Sequence, residues 1–270
     1  MDLLQAVVLG IVQGLTEFVP VSSSAHLVVV PWLLHWESPG LAFDTVLHLG
    51  TLLAVVAFFH RDVCALAQAW LSSLGRRSLA DPDGRLAWLI VLGTIPAGVA
   101  GAALGDYFER AFSSPQLVGV FLIGTSVILV AAEQIGLNSQ RKVTEMGWRG
   151  ALGIGFAQAV AILPGISRSG STIATGLAIG FRRAEAARFS FLLAIPVMMG
   201  AGASQLVSMA RHPQPEAHLL YVLVGFVVAA VTGYLAIGLL LRYLRERTLY
   251  AFACYAGLLG AAVVVISSAR

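Results

Sequence analysis

Long apolar runs separated by short polar segments make up most of this chain. Six of the runs are long enough to cross the roughly 30 Å hydrocarbon layer of a bilayer as α-helices. The pattern predicts spanning helices near residues 43–60, 86–104, 116–135, 187–209, 219–241 and 249–268. We therefore expect an all-α, polytopic membrane protein.

Two further apolar regions are interrupted in the middle, and the interruptions are alike. The flanking pieces are 3–19 and 25–36 for the first break, and 149–163 and 170–181 for the second. Pro20 lies in the first break, and Pro164 and Gly165 lie in the second. The later piece of each pair is too short to span a bilayer, and irregular backbone at that depth needs surrounding protein or a wet cavity. Each pair is therefore predicted to be a re-entrant helical hairpin.

The basic residues favour this arrangement. If the segment 61–85 is a cytoplasmic loop, counting the crossings places thirteen of the 17 basic residues on the cytoplasmic side, as the positive-inside rule requires. The thirteen are Arg61, Arg76, Arg77, Arg85, Arg141, Lys142, Arg149, Arg182, Arg183, Arg188, Arg242, Arg245 and Arg247. Treating 149–181 as one spanning helix would move six of them to the other face. The first hairpin then enters from outside and the second from inside.

An inverted repeat follows from this order. A single integral membrane domain, residues 1–270, is divided into halves of about 1–135 and 136–270, each with one hairpin and three spanning helices. The spacing Pro20-x-x-Ser23 recurs as Pro164-x-x-Ser167. Broken helices in corresponding positions of two halves indicate a binding site near the midplane of the bilayer.

The composition agrees with a membrane protein and excludes other classes. Apolar residues form 58% of the chain and charged residues 11%, which is not the balance of a soluble domain. The net charge of +3 does not indicate a nucleic-acid partner, because the basic residues are scattered in short loops. The two cysteines, Cys64 and Cys254, have no metal-ligand spacing.

The first break carries candidate catalytic groups. Gln13 and Glu17 share one helical face, and a carboxylate at this depth is expected to be a metal ligand or a general base. Ser22, Ser23 and Ser24 open the second half-helix, where serine is either a helix cap or part of an anion site. His26 follows on the same face, as a general acid or base or as a structural histidine.

The second break carries candidate phosphate-binding groups. Arg168 has a planar guanidinium that suits phosphate oxygens, and the alternative is a structural ion pair with Glu17. If the hairpin tips meet, two helix N-termini face one anion such as a diphosphate. The glycines of this break are expected to let backbone approach the phosphate. The remaining candidate substrate-binding residues here are Gly165, Ser167, Ser169, Gly170 and Thr172.

Three other ionisable residues have ordinary predicted roles. Asp44 and His48 are four residues apart in the next spanning helix, and they are expected to pair with each other rather than serve as a metal ligand or support the site. Glu133 lies near a predicted helix end and is expected to reach the membrane interface.

The two motifs together resemble a known family. Gln13-x-x-x-Glu17, Pro20-Val-Ser-Ser-Ser-Ala-His26 and Pro164-Gly-Ile-Ser-Arg-Ser-Gly170 are similar to motifs of the bacterial undecaprenyl-diphosphate phosphatases linked to bacitracin resistance. The resemblance extends over the whole chain in length and segment order. It implies interdigitated inverted repeats in the cytoplasmic (inner) membrane. It also implies hydrolysis of undecaprenyl diphosphate to the monophosphate carrier used in peptidoglycan synthesis.

The resemblance also implies site residues and a cofactor. The acidic motif of the family falls on Gln13 and Glu17, its serine and histidine on Ser23 and His26, and its arginine on Arg168. A divalent cation, Mg²⁺ or Ca²⁺, is implied, with Glu17 and Gln13 as its candidate ligands and a site open to the periplasm. Many members carry Glu where this chain has Gln13, which weakens a metal site that needs two carboxylates.

The resulting hypothesis is a phosphoryl transfer at the hairpin tips. Ser23 attacks the terminal phosphorus with help from Glu17, directly or through metal-bound water, and Arg168 holds the phosphates. His26 handles a proton, or is itself the nucleophile. The alternative function is a polyprenyl-phosphate transporter or flippase, which also needs paired anion sites but no nucleophile beside a base. The partners are the polyprenyl diphosphate and membrane lipid, and the sequence leaves the oligomeric state open.

Overall fold

A computed structural model describes residues 1–37, 40–111, 114–136, 140–211 and 218–269, with the backbone alone for 104–111. These residues form eleven α-helices, one short 3₁₀-helix at Val143–Glu145, and no strand. The helices are α1 (Leu3–Phe18), α2 (Ser23–Leu34), α3 (Leu41–Phe58), α4 (His60–Arg76), α5 (Pro82–Ala111), α6 (Pro115–Ile135), α7 (Trp148–Val160), α8 (Arg168–Ala178), α9 (Arg183–Arg211), α10 (Leu219–Tyr243) and α11 (Tyr250–Ala269).

The prediction of six spanning helices is confirmed. Helices α3, α5, α6, α9, α10 and α11 each contain a stretch long and apolar enough to cross a membrane. Large apolar side chains such as Leu223, Val231 and Leu258 are more than half exposed on their outer faces. Such surfaces are costly in water and suited to lipid, so this is the exterior of a multi-spanning membrane protein.

The chain is interrupted where the sequence predicts. Helix α1 ends at Phe18 and α2 begins at Ser23, while α7 ends at Val160 and α8 begins at Arg168. Each pair of short helices packs together, α1 on α2 and α7 on α8. At the first break Pro20 cannot continue the helical hydrogen bonding because it has no N–H to donate, while at the second break the N–H groups of Ile162 and Leu163 bond carbonyls three residues back, before Pro164 is reached.

The segment 61–85 is not simply a loop, and this part of the sequence reading was wrong. Most of it belongs to α4, which packs on α5 and ends at Arg76. The indole Nε1 of Trp88 donates a hydrogen bond to Ser73 Oγ at 2.9 Å and fixes this contact. The helix is amphipathic rather than uniformly apolar, so a search for long hydrophobic runs does not detect it.

Small residues let the helices cross closely in the core. A Cβ atom on Gly10 of α1 would lie 2.9 Å from the carbonyl oxygen of Gly225 on α10, and one on Gly119 of α6 would lie 2.9 Å from that of Gly260 on α11. Both distances are shorter than a normal contact, so only glycine permits these crossings. Tight crossings of this kind hold α1 against α10 and α6 against α11.

Glu133 does not reach the interface, and that expectation was wrong. Its side chain is fully buried, and the guanidinium of Arg183 contacts both carboxylate oxygens, with Nε 2.8 Å from Oε1 and Nη2 2.5 Å from Oε2. The backbone N–H of Leu249 donates to Oε1 at 2.8 Å. The carboxylate therefore ties α6 to α9 and to the turn before α11.

Candidate active site at the two helix breaks

The two breaks meet at one carboxylate. Glu17 lies one residue before the end of α1, and Arg168 is the first residue of α8. Arg168 Nη2 donates to Glu17 Oε1 at 2.7 Å, and the side chains are 15% and 6% exposed. The ion pair considered as an alternative role for Arg168 is therefore present.

The second carboxylate oxygen of Glu17 collects contacts from three further groups. Ser23 Oγ donates to Oε2 at 2.6 Å, and Gln13 Nε2 donates to the same atom at 2.9 Å. His48 Nε2 lies 3.6 Å from it. Side chains from α1, α2, α3 and α8 thus converge on one acidic group.

Two polar atoms of this cluster have no hydrogen-bond partner. They are Arg168 Nη1 and Gln13 Oε1, both buried and both unpaired within the described part of the chain. Buried donors and acceptors are nearly always satisfied, and exceptions mark a bound water, an ion or a ligand. A donor on a guanidinium and an acceptor on an amide would meet an anion and a cation, respectively.

The first helix break, between Phe18 and Ser23, is called the first tip, and its serine side chains hold a strained backbone conformation. Ser22 has φ 69°, a region that residues with a side chain seldom adopt outside turns and functional sites. Its hydroxyl caps α2 by accepting from the N–H of Ala25 at 3.4 Å and lies 3.1 Å from Ser24 Oγ. Ser22 and Ser24 therefore shape the tip, while Ser23 is the serine that contacts Glu17.

The second helix break, between Val160 and Arg168, is called the second tip, and hydrogen bonds to helix α6 and to the first tip hold it in place. Thr125 Oγ1 donates to the carbonyl of Gly165 at 2.8 Å and accepts from the N–H of Ser167 at 2.9 Å. Ser167 Oγ caps α8 by accepting from the N–H of Gly170 at 3.0 Å. Ser169 Oγ donates to the carbonyl of Val19 at 3.2 Å, which joins the two breaks directly. Thr125 is a supporting residue that the sequence patterns do not reveal.

At Gly165 and Gly170 of the second tip, other protein atoms leave no room for a side chain. Gly165 has φ +103°, and a Cβ there would lie 2.6 Å from the carbonyl oxygen of Val118 on α6. A Cβ on Gly170 would lie 2.9 Å from Ser167 Cβ. Positive φ and contact with α6 favour glycine at position 165, and contact with Ser167 favours it at position 170, while the approach of a phosphate to this backbone stays a prediction.

Thr172 lies away from the cluster. Its hydroxyl is 2.6 Å from that of Ser190 on α9 and donates to the carbonyl of Arg168 at 2.8 Å. The residue is buried and ties α8 to α9. It contacts Arg168 only through the main chain, so its assignment as a substrate-binding residue stays a prediction.

His26 is buried beside the first tip, with both ring nitrogens occupied. Nδ1 lies 2.7 Å from the carbonyl oxygen of Ser22, and Nε2 lies 2.8 Å from the hydroxyl of Tyr255 on α11. These contacts are with groups other than Glu17 and Ser23. Tyr255 could not have been identified from the sequence, because it is 229 residues away from His26.

His48 lies beside Glu17 and supports the site. The sequence favoured the other prediction, a pair formed by His48 and Asp44. Its Nδ1 lies 2.8 Å from the backbone carbonyl of Asp44, so the pair is joined through the main chain. Its Nε2 faces Glu17, and the side chain is 40% exposed. Thr51, one turn further along α3, lies 3.4 Å from Gln13 Nε2. Helix α3 therefore contributes to the cluster although it carries neither motif.

The cluster offers oxygen ligands for a hard cation, but few of them. No group of three His, Cys, Asp or Glu side chains suited to a metal occurs in the described residues. Glu17 supplies the carboxylate of the cluster, and Gln13 Oε1 is a buried amide oxygen without a partner among the described residues. Mg²⁺ commonly binds one or two carboxylates and takes its other ligands from substrate phosphates and water. The residues therefore fit a cation that arrives with a phosphate rather than one held by the protein alone.

These features define a polytopic helical membrane protein with a buried carboxylate–guanidinium centre between two helix breaks. The chain matches the family model described as bacitracin resistance protein BacA over residues 6–262. It is 46% identical to an undecaprenyl-diphosphatase of Rubrobacter xylanophilus over 98% of both chains, and 44% identical to one of Thermomicrobium roseum over 99% of both. A Geobacter sulfurreducens protein of the same name is 44% identical over the full length of both chains. The chain belongs to the BacA family.

Proposed function

We propose that this protein is an undecaprenyl-diphosphate phosphatase. It hydrolyses undecaprenyl diphosphate to undecaprenyl phosphate and inorganic phosphate, recycles the lipid carrier for peptidoglycan synthesis and so confers bacitracin resistance. Relatives with that name are 44–46% identical over nearly the whole chain. The observation that carries the proposal is the contact of Ser23 and Arg168 with the same carboxylate, Glu17.

The cluster contains the groups that phosphoryl transfer requires. Transfer depends mainly on positioning and on charge stabilisation, and a serine nucleophile needs a nearby base. Ser23 Oγ already donates to Glu17 Oε2 at 2.6 Å. Ser23 attacks the terminal phosphorus while its proton passes to Glu17, and the bond to the bridging oxygen breaks to release undecaprenyl phosphate. Water then hydrolyses the phosphoserine, and His26 handles a proton in this cycle.

The two short helices favour an anion at the same place. Ser23 and Arg168 are the first residues of α2 and α8, so the positive ends of both helix dipoles lie near Glu17. Free N–H groups and the dipole at a helix N-terminus attract phosphate. Arg168 Nη1 is buried without a partner among the described residues and supplies a further donor. A diphosphate head group fits this set of donors, with Ser22, Ser24, Ser167 and Ser169 shaping the cradle.

The proposal includes two re-entrant hairpins and an inverted repeat with halves of about 1–135 and 136–270. Close helix crossings at equivalent places in the two halves support the inverted repeat. Gly10 on α1 meets Gly225 on α10, and Gly155 on α7 meets Gly93 on α5, with a Cβ on Gly155 only 2.5 Å from the Gly93 carbonyl oxygen. Helices α1 and α7 open the two halves, and α5 and α10 hold equivalent places in them. Gly119 and Gly260 meet reciprocally, as an axis between the halves requires.

A divalent cation, Mg²⁺ or Ca²⁺, is part of the proposal. Glu17 and Gln13 Oε1 would hold it, together with oxygen atoms of the diphosphate. The bound cation would offset negative charge on the phosphates. The membrane is the bacterial inner membrane, with the site open to the periplasm. The basic residues of the segments around Arg76, Arg141 and Arg242 support this orientation through the positive-inside rule.

Phosphate release from undecaprenyl diphosphate by the purified protein in detergent tests the function. A detergent micelle has no two sides, so release there cannot come from transport. We expect release by the wild type, loss of release on adding a chelator, and recovery on adding Mg²⁺ or Ca²⁺. Binding of the lipid diphosphate without any release would instead support the transporter reading.

A further inference from the structure

The hydrogen bonds of His26 fix which of its ring nitrogens carries a proton. The carbonyl oxygen of Ser22 can only accept, so Nδ1, at 2.7 Å, must donate to it. In the neutral ring, Nε2 then has a lone pair and accepts from the hydroxyl of Tyr255 at 2.8 Å. The Ser22 carbonyl thereby fixes the tautomer in which Nε2 is unprotonated, and the hydroxyl of Tyr255 donates to that nitrogen.

The ring of Tyr255 also restricts the orientation of the imidazole. The two rings are nearly parallel, with an angle of 8° and centroids 5.7 Å apart. His26 is only 5% exposed, so it has little room to turn. Rotation of the imidazole about its Cβ–Cγ bond would break both hydrogen bonds at once.

Ordinary core packing does not account for Tyr255. The residue is 48% exposed, so it is not part of the buried core. It lies on α11, whose neighbour along most of its length is α6 rather than α2. The crossing of Gly119 with Gly260 holds α11 against α6 and so sets the position of the tyrosine. The specific interaction that Tyr255 makes is the hydrogen bond to Nε2.

We propose that Tyr255 is a positioning residue for His26. Its hydroxyl donates to Nε2 and holds the imidazole in the orientation in which Nδ1 faces Ser22, so that Nε2 is the nitrogen that takes up a proton during the reaction. This inference rests on the proposed function, in which His26 handles a proton. The hydroxyl comes from the last helix of the second half, so a residue outside both motifs completes the first tip.

A double-mutant cycle with Tyr255→Phe and His26→Gln tests the inference. Phenylalanine keeps the ring and its stacking and removes only the hydroxyl. In the wild-type background we expect kcat for phosphate release to fall about tenfold, with KM within about twofold. In the His26→Gln background the same change should alter kcat less than about twofold, because the hydroxyl acts through the imidazole. Tyr234→Phe, a half-exposed tyrosine on α10, is the matched control and should behave as wild type.

Nitrogen-15 NMR of the histidine side chains gives a readout that does not depend on turnover. The protein has six histidines, and the His26 signals are those lost in His26→Gln. We expect the wild type to show the tautomer protonated at Nδ1, and Tyr255→Phe to shift the Nε2 signal because that nitrogen loses its hydrogen-bond donor. Unchanged His26 signals in Tyr255→Phe, or equal effects of the change in both backgrounds of the cycle, would overturn the inference. A wild type that releases no phosphate would defeat the proposed function, while the NMR comparison would still decide the role of Tyr255.

Discussion

Two buried pairs of glutamate and arginine differ in how completely they are satisfied. In the pair Glu133–Arg183, the guanidinium bonds both carboxylate oxygens, and the N–H of Leu249 donates to one of them. In the pair Glu17–Arg168, one nitrogen contacts one oxygen at 2.7 Å, and no partner for Nη1 occurs in the part of the chain that the structure describes. We call Glu133–Arg183 the closed pair, because the protein bonds both of its carboxylate oxygens to the guanidinium. We call Glu17–Arg168 the open pair, because one of its guanidinium nitrogens is still available.

The difference separates a structural role from a chemical one. A bidentate pair with an added hydrogen bond has used its polar atoms on the protein, so it can only hold helices together. An open pair keeps a donor available and has a serine and an amide on the same carboxylate. The closed pair should therefore affect stability, and the open pair should affect turnover.

Ser23→Ala should produce the largest change. It removes the proposed nucleophile, and we expect kcat for phosphate release to fall about 1,000-fold or more. The unfolding temperature should stay close to that of the wild type, because the serine is one of several groups on Glu17. Phosphate release and thermal unfolding in detergent measure the two effects. Ser208→Ala, on the exposed face of α9, is the control, and normal turnover by Ser23→Ala would remove serine from the nucleophile role.

Glu133→Ala should mainly reduce stability. The change leaves Arg183 partly buried without its partner and the N–H of Leu249 unpaired, at a cost of roughly 3–5 kcal/mol in the free energy of unfolding. Turnover per folded molecule should remain within about twofold of the wild type. Denaturant unfolding and activity normalised to folded protein separate the two. Glu246→Ala, at an exposed site, should change neither, and a specific loss of turnover in Glu133→Ala would contradict the division between closed and open pairs.

Arg168→Lys should lower kcat about 100-fold, because removing one preorganised donor from a charged transition state costs this order of activity. Lysine keeps the charge but lacks the planar fork that bonds Glu17 with one nitrogen and presents Nη1 to the phosphate. Steady-state kinetics on undecaprenyl diphosphate measure the change, with Arg61→Lys as the exposed control. Near-normal kcat in Arg168→Lys would show that charge alone suffices.

The sequence was informative where local chemistry decides the structure. The six spans follow from hydropathy, and both breaks follow from proline and glycine within apolar runs. The meeting of Glu17 with Arg168 could be expected because a charge at membrane depth needs a partner. These inferences depend on only a few neighbouring residues or on one general rule.

Most contacts between segments far apart in the chain could not be predicted from the sequence. Glu133 finds Arg183 fifty positions later, and His26 finds Tyr255 from the far end of the chain. Gly165 is required by the backbone of α6, which its own motif does not reveal. Helix α4 was missed because it is amphipathic, with apolar residues on one face only, and so contains no long apolar run. Each case depends on packing that only the folded chain defines.

Gln13→Glu should have the smallest effect on kcat, and it tests whether a cation binds at the open pair. Gln13 Nε2 now donates to Glu17 Oε2 at 2.9 Å, so a glutamate would bring two carboxylates to hydrogen-bond distance. Such a pair is relieved by a shared proton or by a bridging cation. We expect kcat to stay within about tenfold of the wild type, and the Mg²⁺ concentration for half-maximal activity to fall about tenfold. Titration of Mg²⁺ into chelator-treated enzyme measures the shift, and Gln116→Glu adds the same charge at an exposed site as a control. An unchanged Mg²⁺ requirement in Gln13→Glu would place the cation away from Glu17, on the phosphates alone.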